Sequence, residues 1–486
     1  MTTAEELACS DPTDLDGLRG ALGTADPEGR LAPIAMSRIE IGPEALYVLP
    51  EIVSELAREA RTGNLAAPRV ALVVDATPMR RDGGDLKEEA ERLLGGRFEV
   101  RRAVIGGEGP ELHADEEALA EAEAAVAGAD CAVVVGSGTI TDVCKEATRR
   151  TGGSPLVVVQ TAASVNAFSD DMAVLLKSGT KRTVPSRWPD ALLVDLPALA
   201  GAPPEMNLAG FGDLLAMWTA PADWCLARAV GMDDSYHPAP IGMLHEQGQG
   251  LLAGAAGLRR REPEMLDRLA RVLTLSGISL GVAGKTAPLS GTEHLVSHLI
   301  DMAAEGRHLS LALHGAQVAV AAVPVAAAWE AFLAEFDPPN VDADRLFPDA
   351  ATLEPLVRRA FAAIDPSGRV GGECWNDYRR KLERWRDLRP RVEGFLENWP
   401  QHRSELGQMV AAPEALGGAL EEAGAPARFG ELDPPVSPET ARWALRNCHL
   451  MRDRFTLADL LFFAGRWDDA FIERILDRAR SAGGGL

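Results

Sequence analysis

The chain has 486 residues, of which 46% are hydrophobic and 25% charged, a globular composition that excludes collagen, coiled coil and whole-chain disorder and suffices for two domains. Its formal charge is −23, from 49 Lys and Arg against 72 Asp and Glu, and so acidic a surface repels phosphate backbones and anionic lipid, so neither a nucleic-acid nor a membrane partner is expected. The six cysteines are scattered along the sequence, which excludes CxxC zinc motifs and a disulfide framework and points to core thiols in a reducing, cytoplasmic setting.

The N-terminus lacks the basic-then-apolar order of a signal peptide, and no run is read as approaching the roughly 20 apolar residues of a bilayer span. Residues 1–36, rich in Gly, Pro and Asp, read as a poorly ordered lead-in. Apolar, β-branched runs then follow at 70–75, 98–104, 131–135, 156–159 and 191–194, separated by helical segments such as Gly84 to Leu94 and about 115–127. Short buried-strand patterns alternating with helices predict parallel strands joined by crossover helices, an α/β domain over 37–200. The segment Leu196 to Pro204 reads as a hinge, and from about 205 the apolar residues recur at helical spacing, predicting an all-α domain over 201–486. The stretch 320–350, with Asp337-Pro-Pro-Asn340, reads as an insertion or long connection.

Two constellations carry chemistry. Gly136-Ser137-Gly138-Thr139-Ile-Thr-Asp142 follows a predicted strand and opens a predicted helix, where backbone amides and the helix dipole suit a pyrophosphate; an ordinary tight turn would use the same glycines. Asp75, ending the first strand, suits either a ribose diol or a helix cap. The second is Gly210-Phe-Gly-Asp213 with Ser290-Gly-Thr-Glu-His294-Leu-Val-Ser-His298 and His314-Gly315. His294 and His298 are one helical turn apart, and two imidazoles with a carboxylate suit Zn²⁺, Fe²⁺ or Ni²⁺ while leaving positions for substrate. Local hydrogen bonding by isolated histidines is the competing reading.

These motifs, with Thr161-Ala-Ala-Ser164, Ser276-Gly-Ile-Ser279, Cys374-Trp-Asn-Asp-Tyr378 and Met451-Arg-Asp-Arg-Phe-Thr, stand in the order seen in sn-glycerol-1-phosphate dehydrogenases. The chain resembles that family, and through it the superfamily of iron-containing alcohol dehydrogenases, glycerol dehydrogenases and dehydroquinate synthases. The resemblance implies a dehydroquinate synthase-like fold, a dinucleotide-binding α/β domain followed by an all-α metal-binding domain. It implies NAD or NADP on Gly136, Ser137, Gly138, Thr139, Asp142, Thr161 and Ser164, and Asp75 at the strand end and Asp170 beside the cofactor complete the expected contacts. It implies one divalent metal on Asp213, His294 and His314, with His298 on the substrate side or in a proton relay, or as ligand in place of His294 if the register shifts. A small-molecule substrate and a homo-oligomer are implied as well. Lys177, Lys181, Arg182 and Arg187 form a basic run suited to a substrate phosphate or to a solvated loop.

Two departures from the family pattern stand out. Asn166 replaces an aspartate that touches substrate, and a neutral amide cannot act as a base. Asp170 stands where the family often has a small hydroxyl residue. The expected activity is therefore interconversion of an alcohol with a ketone or aldehyde across an altered substrate wall. The alternatives are a cyclase of dehydroquinate synthase type, for which lysines are scarce, and a non-catalytic nucleotide-binding relative.

Overall fold

The computed structural model describes residues 7–60, 67–107, 112–177, 180–342 and 344–486. Its contacts divide the chain into two units, residues 1–211 with 242–285, and residues 212–241 with 286–486.

The longer strands described in the first unit are β1 (Arg38–Gly42), β2 (Arg69–Val74), β3 (Glu99–Val104), β4 (Cys131–Gly136), β5 (Leu156–Gln160), β6 (Met172–Lys177), β7 (Thr180–Pro185) and β8 (Ala191–Asp195). Six of them form one parallel sheet in the order β1-β8-β5-β4-β2-β3. The central strands are buried on both faces, as their unbroken Val and Leu runs require. Strand β3 carries Arg101 and Arg102 outward, which suits an edge. Helices α1 (Leu15–Ala25), α2 (Leu49–Ala60), α3 (Leu86–Gly95), α4 (Glu116–Val126) and α5 (Gly138–Arg150) belong to this unit. Leu49, Val53, Leu86 and Leu94 of two of them close over Val70, Leu72, Val133 and Val157 of the sheet. The chain runs from β2 out to β3 and then back past β2 to β4, so the topological switch point lies between β2 and β4.

The parallel sheet expected from the sequence is therefore present, and the differences have physical causes. The lead-in contains α1, capped by Asp14, whose carboxylate accepts from the Gly17 N–H. Strand β1 and the antiparallel β6–β7 pair were not legible: β1 is five residues with a charge at alternate positions, which look like loop, and β7 is polar and ends on Pro185. Helix α6 (Pro204–Leu214) crosses the division between the units at Phe211 and Gly212. Residues 242–285, expected in the second domain, cluster with the first because α7 (Pro263–Ala283) lays small residues on its loops. A Cβ on Gly277 would lie 2.2 Å from Ser169 Oγ, and one on Gly281 2.2 Å from the Trp188 ring.

The second unit is helical. Helices α8 (Thr292–Glu305) and α9 (His314–Glu335) pack together at its centre. The stretch expected to be a connection from 320 is in fact the body of α9. Its Ala and Val residues cover every side, so no amphipathic period marks it, and it is buried all round. It is long and apolar enough to cross a membrane by composition, but most of it is enclosed by the protein. Asp223, inside the unit, accepts from Thr292 N at 2.7 Å and Leu457 N at 2.8 Å and so anchors the start of α8.

Candidate functional site

In the second unit, α6 brings Asp213, α8 brings His294 and His298, and the first residue of α9 is His314. One ligand atom from each of Asp213, His294 and His314 falls within 4.8 Å of the others. His294 Nε2 is 3.3 Å and His314 Nε2 4.0 Å from Asp213 Oδ1. These contacts depend on a glycine: a Cβ on Gly212 would lie 2.4 Å from the Gly315 carbonyl oxygen, so only glycine lets α6 meet the start of α9.

The donor set fits a divalent cation. Asp213 Oδ1 is buried without a hydrogen-bond partner, an arrangement that costs free energy unless a cation answers it. His294 Nδ1 lies 2.9 Å from Glu293 Oε1, so the carboxylate takes that N–H and fixes the ring with Nε2 toward Asp213. Burial opposes charge on His294, yet the neighbouring carboxylates of Asp213 and Glu293 outweigh it and raise its pKa to about 9. The pocket favours a positive charge at that point.

A second set of donors, His298, Asp301 and His314, shares His314 with the first. It is the weaker candidate, because Asp301 Oδ1 already accepts from Gln317 Nε2 at 2.9 Å whereas Asp213 Oδ1 has no such donor. His298 sits with its ring 5.5 Å from that of His314 and 6.4 Å from that of His294. Burial, and then the charge of Arg452, hold it neutral by pushing its pKa well below the usual histidine range.

In the first unit, Asp75 follows β2 and the glycine turn follows β4, the two strands that flank the switch point. Ser137 caps α5 without a side-chain hydrogen bond, which leaves the first-turn N–H groups for an anion. A Cβ on Gly138 would lie 2.6 Å from Val165, so this turn is a cradle that side chains would fill. Thr161 donates its N–H to the Gly136 carbonyl at 3.2 Å, which ties its loop to the turn. Asn207 accepts from Ala163 N at 2.9 Å, one residue before Ser164. Gly210 lets α6 press against that loop, where a Cβ would be 1.9 Å from the Ala163 carbonyl oxygen. Asn166 is half-buried at the start of a short 3-10 turn.

Three expected nucleotide contacts are engaged elsewhere. Asp75 Oδ1 accepts from Lys87 Nζ at 2.9 Å and Thr77 N at 3.0 Å, so one of its two oxygens is already committed. Asp142 and Asp170 turn into the protein, where Lys145 Nζ lies 3.2 Å from Asp142 Oδ1 and 2.6 Å from Asp170 Oδ1. Lys145 stands one turn after Asp142, so the ammonium and both carboxylates meet beneath the turn instead of at its surface. Of the basic run, Arg187 pairs with Asp190 at 2.5 Å, and the side chains of Lys177 and Lys181 lie outside the described residues.

Residues 41–203 match the family model of iron-containing alcohol dehydrogenases. Over 300 residues the chain is 31% identical to glycerol-1-phosphate dehydrogenase [NAD(P)+] of Bacillus licheniformis, covering 60% of this chain and 70% of that protein. The chain belongs to the glycerol-1-phosphate dehydrogenase family. Its likeness to the Bacillus subtilis member is 27% over 429 residues, 87% of this chain and 90% of that one. Among solved structures, a probable glycerol dehydrogenase from Sinorhizobium meliloti covers 91% of this chain and 97% of its own at TM-score 0.55 and 15% identity. A 1,3-propanediol oxidoreductase covers 93% and 99% at TM-score 0.54 and 15% identity. Both likenesses concern the fold.

As a glycerol-1-phosphate dehydrogenase family member the chain is an NAD(P)-linked oxidoreductase acting on alcohol groups, with a divalent metal. Sequence reasoning missed residues that hold this candidate site in place. Glu293 was visible only as the neighbour of His294, and Lys145 only as a helical lysine one turn from Asp142. Neither signal says that the side chain is buried, which is what gives it a role.

Proposed function

We propose that this family member interconverts a small, phosphorylated polyol and its ketone, with dihydroxyacetone phosphate as the first substrate to test, at a divalent ion held by Asp213, His294 and His314. The observation that carries the reading is the orphaned Asp213 Oδ1, with the Nε2 atoms of two histidines 3.3 and 4.0 Å away. When bound, the ion supplies Lewis-acid polarisation of the substrate's C–O bond and the nicotinamide supplies or accepts hydride.

The chain's own residues do the rest. Asp213 contributes negative charge that offsets part of the ion's, and Glu293 fixes the ring of His294. The uncapped N-terminus of α5 holds the pyrophosphate of NAD or NADP against Gly136, Ser137, Gly138 and Thr139. Thr161 and Ser164 line the loop toward the nicotinamide end. His298, neutral and beside both ligand histidines, hydrogen-bonds the substrate hydroxyl and passes its proton. Asn166 contacts the substrate as a neutral donor and acceptor, so substrate preference differs from that of members with an acid there. A cytoplasmic homo-oligomer that loads Zn²⁺, Ni²⁺ or Fe²⁺ completes the reading.

The test is NADH and NADPH oxidation by protein loaded with each metal, with dihydroxyacetone phosphate, dihydroxyacetone and other small ketones. Turnover that disappears in His314→Ala together with bound metal supports the reading. Metal retained in His314→Ala, or no turnover of any of these ketones, overturns it.

A further inference from the structure

The hydrogen bonds behind His314 determine which of its nitrogens carries the proton. Gln317 is wholly buried on α9, with Nε2 2.9 Å from Asp301 Oδ1 and 3.1 Å from the Ala312 carbonyl oxygen. A backbone carbonyl can only accept, so the amide nitrogen must face it, and Oε1 must face the other way. There Ser297 Oγ lies 2.9 Å from Oε1, and because that oxygen also can only accept, the single hydroxyl hydrogen of Ser297 is committed to Gln317. The 3.1 Å contact between Ser297 Oγ and His314 Nδ1 therefore requires Nδ1 to donate. In the neutral ring this leaves a lone pair on Nε2, the nitrogen that faces Asp213.

We propose that Ser297 and Gln317 are positioning residues that, with Asp301, hold His314 in its Nδ1–H form so that Nε2 is presented as a metal ligand. The proposal rests on the reading of Asp213, His294 and His314 as the ligand set. The two histidine ligands are then backed unequally, His294 directly by the Glu293 carboxylate and His314 by a neutral relay that ends on a carboxylate. The same relay spends Asp301 Oδ1 on Gln317, which disfavours the overlapping set of donors around His298.

The test uses metal-free full-length protein with ¹⁵N-labelled imidazoles, the His314 signal being assigned by its loss in His314→Gln. The parent should show His314 protonated at Nδ1, and Ser297→Ala should move the proton to Nε2. Chelator competition should then give a Zn²⁺ Kd about 10–100-fold weaker in Ser297→Ala and in Gln317→Leu. The double variant should lose little more than the worse single one, as members of one relay do, and Ser297→Thr, which keeps the hydroxyl, should restore most of the affinity. An Nε2–H tautomer in the parent overturns the proposal without any variant. So does a Ser297→Ala protein that binds Zn²⁺ within twofold of the parent. A parent that binds no Zn²⁺ instead overturns the ligand assignment on which the proposal rests.

Discussion

Lys145 Nζ lies 2.6 Å from Asp170 Oδ1 in the interior of the first unit, and both side chains are shut off from solvent. The ammonium also donates to the Ala167 carbonyl at 2.7 Å, so one lysine on the helix that the glycine turn opens holds the loop carrying Asn166. Breaking a buried pair strands the remaining charge. Lys145→Met is expected to lose about 3–5 kcal/mol of stability, read from urea unfolding. Lys145→Met with Asp170→Leu should recover a substantial part of it, and a double variant as unstable as the single one would contradict this account.

Asp170 gives a pH signature. Burial first, and then repulsion from Asp142, outweigh Lys145 and raise its pKa from 3.8 to about 7. A carboxyl that holds its proton more tightly when folded contributes stability that is complete below the unfolded pKa and is lost as pH rises through the folded one. Asp170→Asn keeps an acceptor for Lys145 and for Met172 N but cannot titrate. Between pH 4 and 7 the parent should lose stability more steeply than Asp170→Asn, by up to about 1.4 kcal/mol per pH unit. Parallel curves from urea midpoints across that window would count against the shift.

Gly212 sets the distance between Asp213 and His314. In Gly212→Ala the new methyl meets the Gly315 carbonyl at 2.4 Å and Ala319 Cβ at 2.7 Å, and helix backbone cannot yield as a side-chain tip does. The expected cost is about 1–3 kcal/mol, with a fall in bound metal measured by elemental analysis of the folded fraction. Metal at parental stoichiometry and affinity would show that the ligands do not depend on this approach.

Gly138 tests the nucleotide site in the same way. A methyl there would reach Val165 at 2.6 Å and push the 161–166 loop away from the turn. Gly138→Ala should weaken NADH binding, followed by nicotinamide fluorescence, roughly tenfold or more, which corresponds to about 1.4 kcal/mol. Zn²⁺ affinity should stay within twofold of the parent, because the proposed ligands Asp213, His294 and His314 belong to the other unit.

The central strands were legible because Val70 to Val74, Cys131 to Val135 and Leu156 to Val159 are apolar on both faces, a demand that only an enclosed parallel strand makes. The grouping of Asp213, His294 and His314 was legible as three residue types at telling positions, and their ligand atoms do fall within 4.8 Å of one another. Helix α9 was not, since a segment buried on every side carries no period, and neither was the allegiance of α7, which depends on what Gly277 and Gly281 touch.

By itself the sequence determined the element types and the chemistry available, because hydrophobic periodicity and side-chain functional groups are local properties. Only the tertiary structure decided which acids find a partner: it buried Asp142 and Asp170 on Lys145, left Asp213 Oδ1 without a hydrogen bond, and placed Glu293 and Ser297 beside the two histidines. A carboxylate's role depends on which donors reach it and how much water remains around it, and both are set by residues distant in the chain.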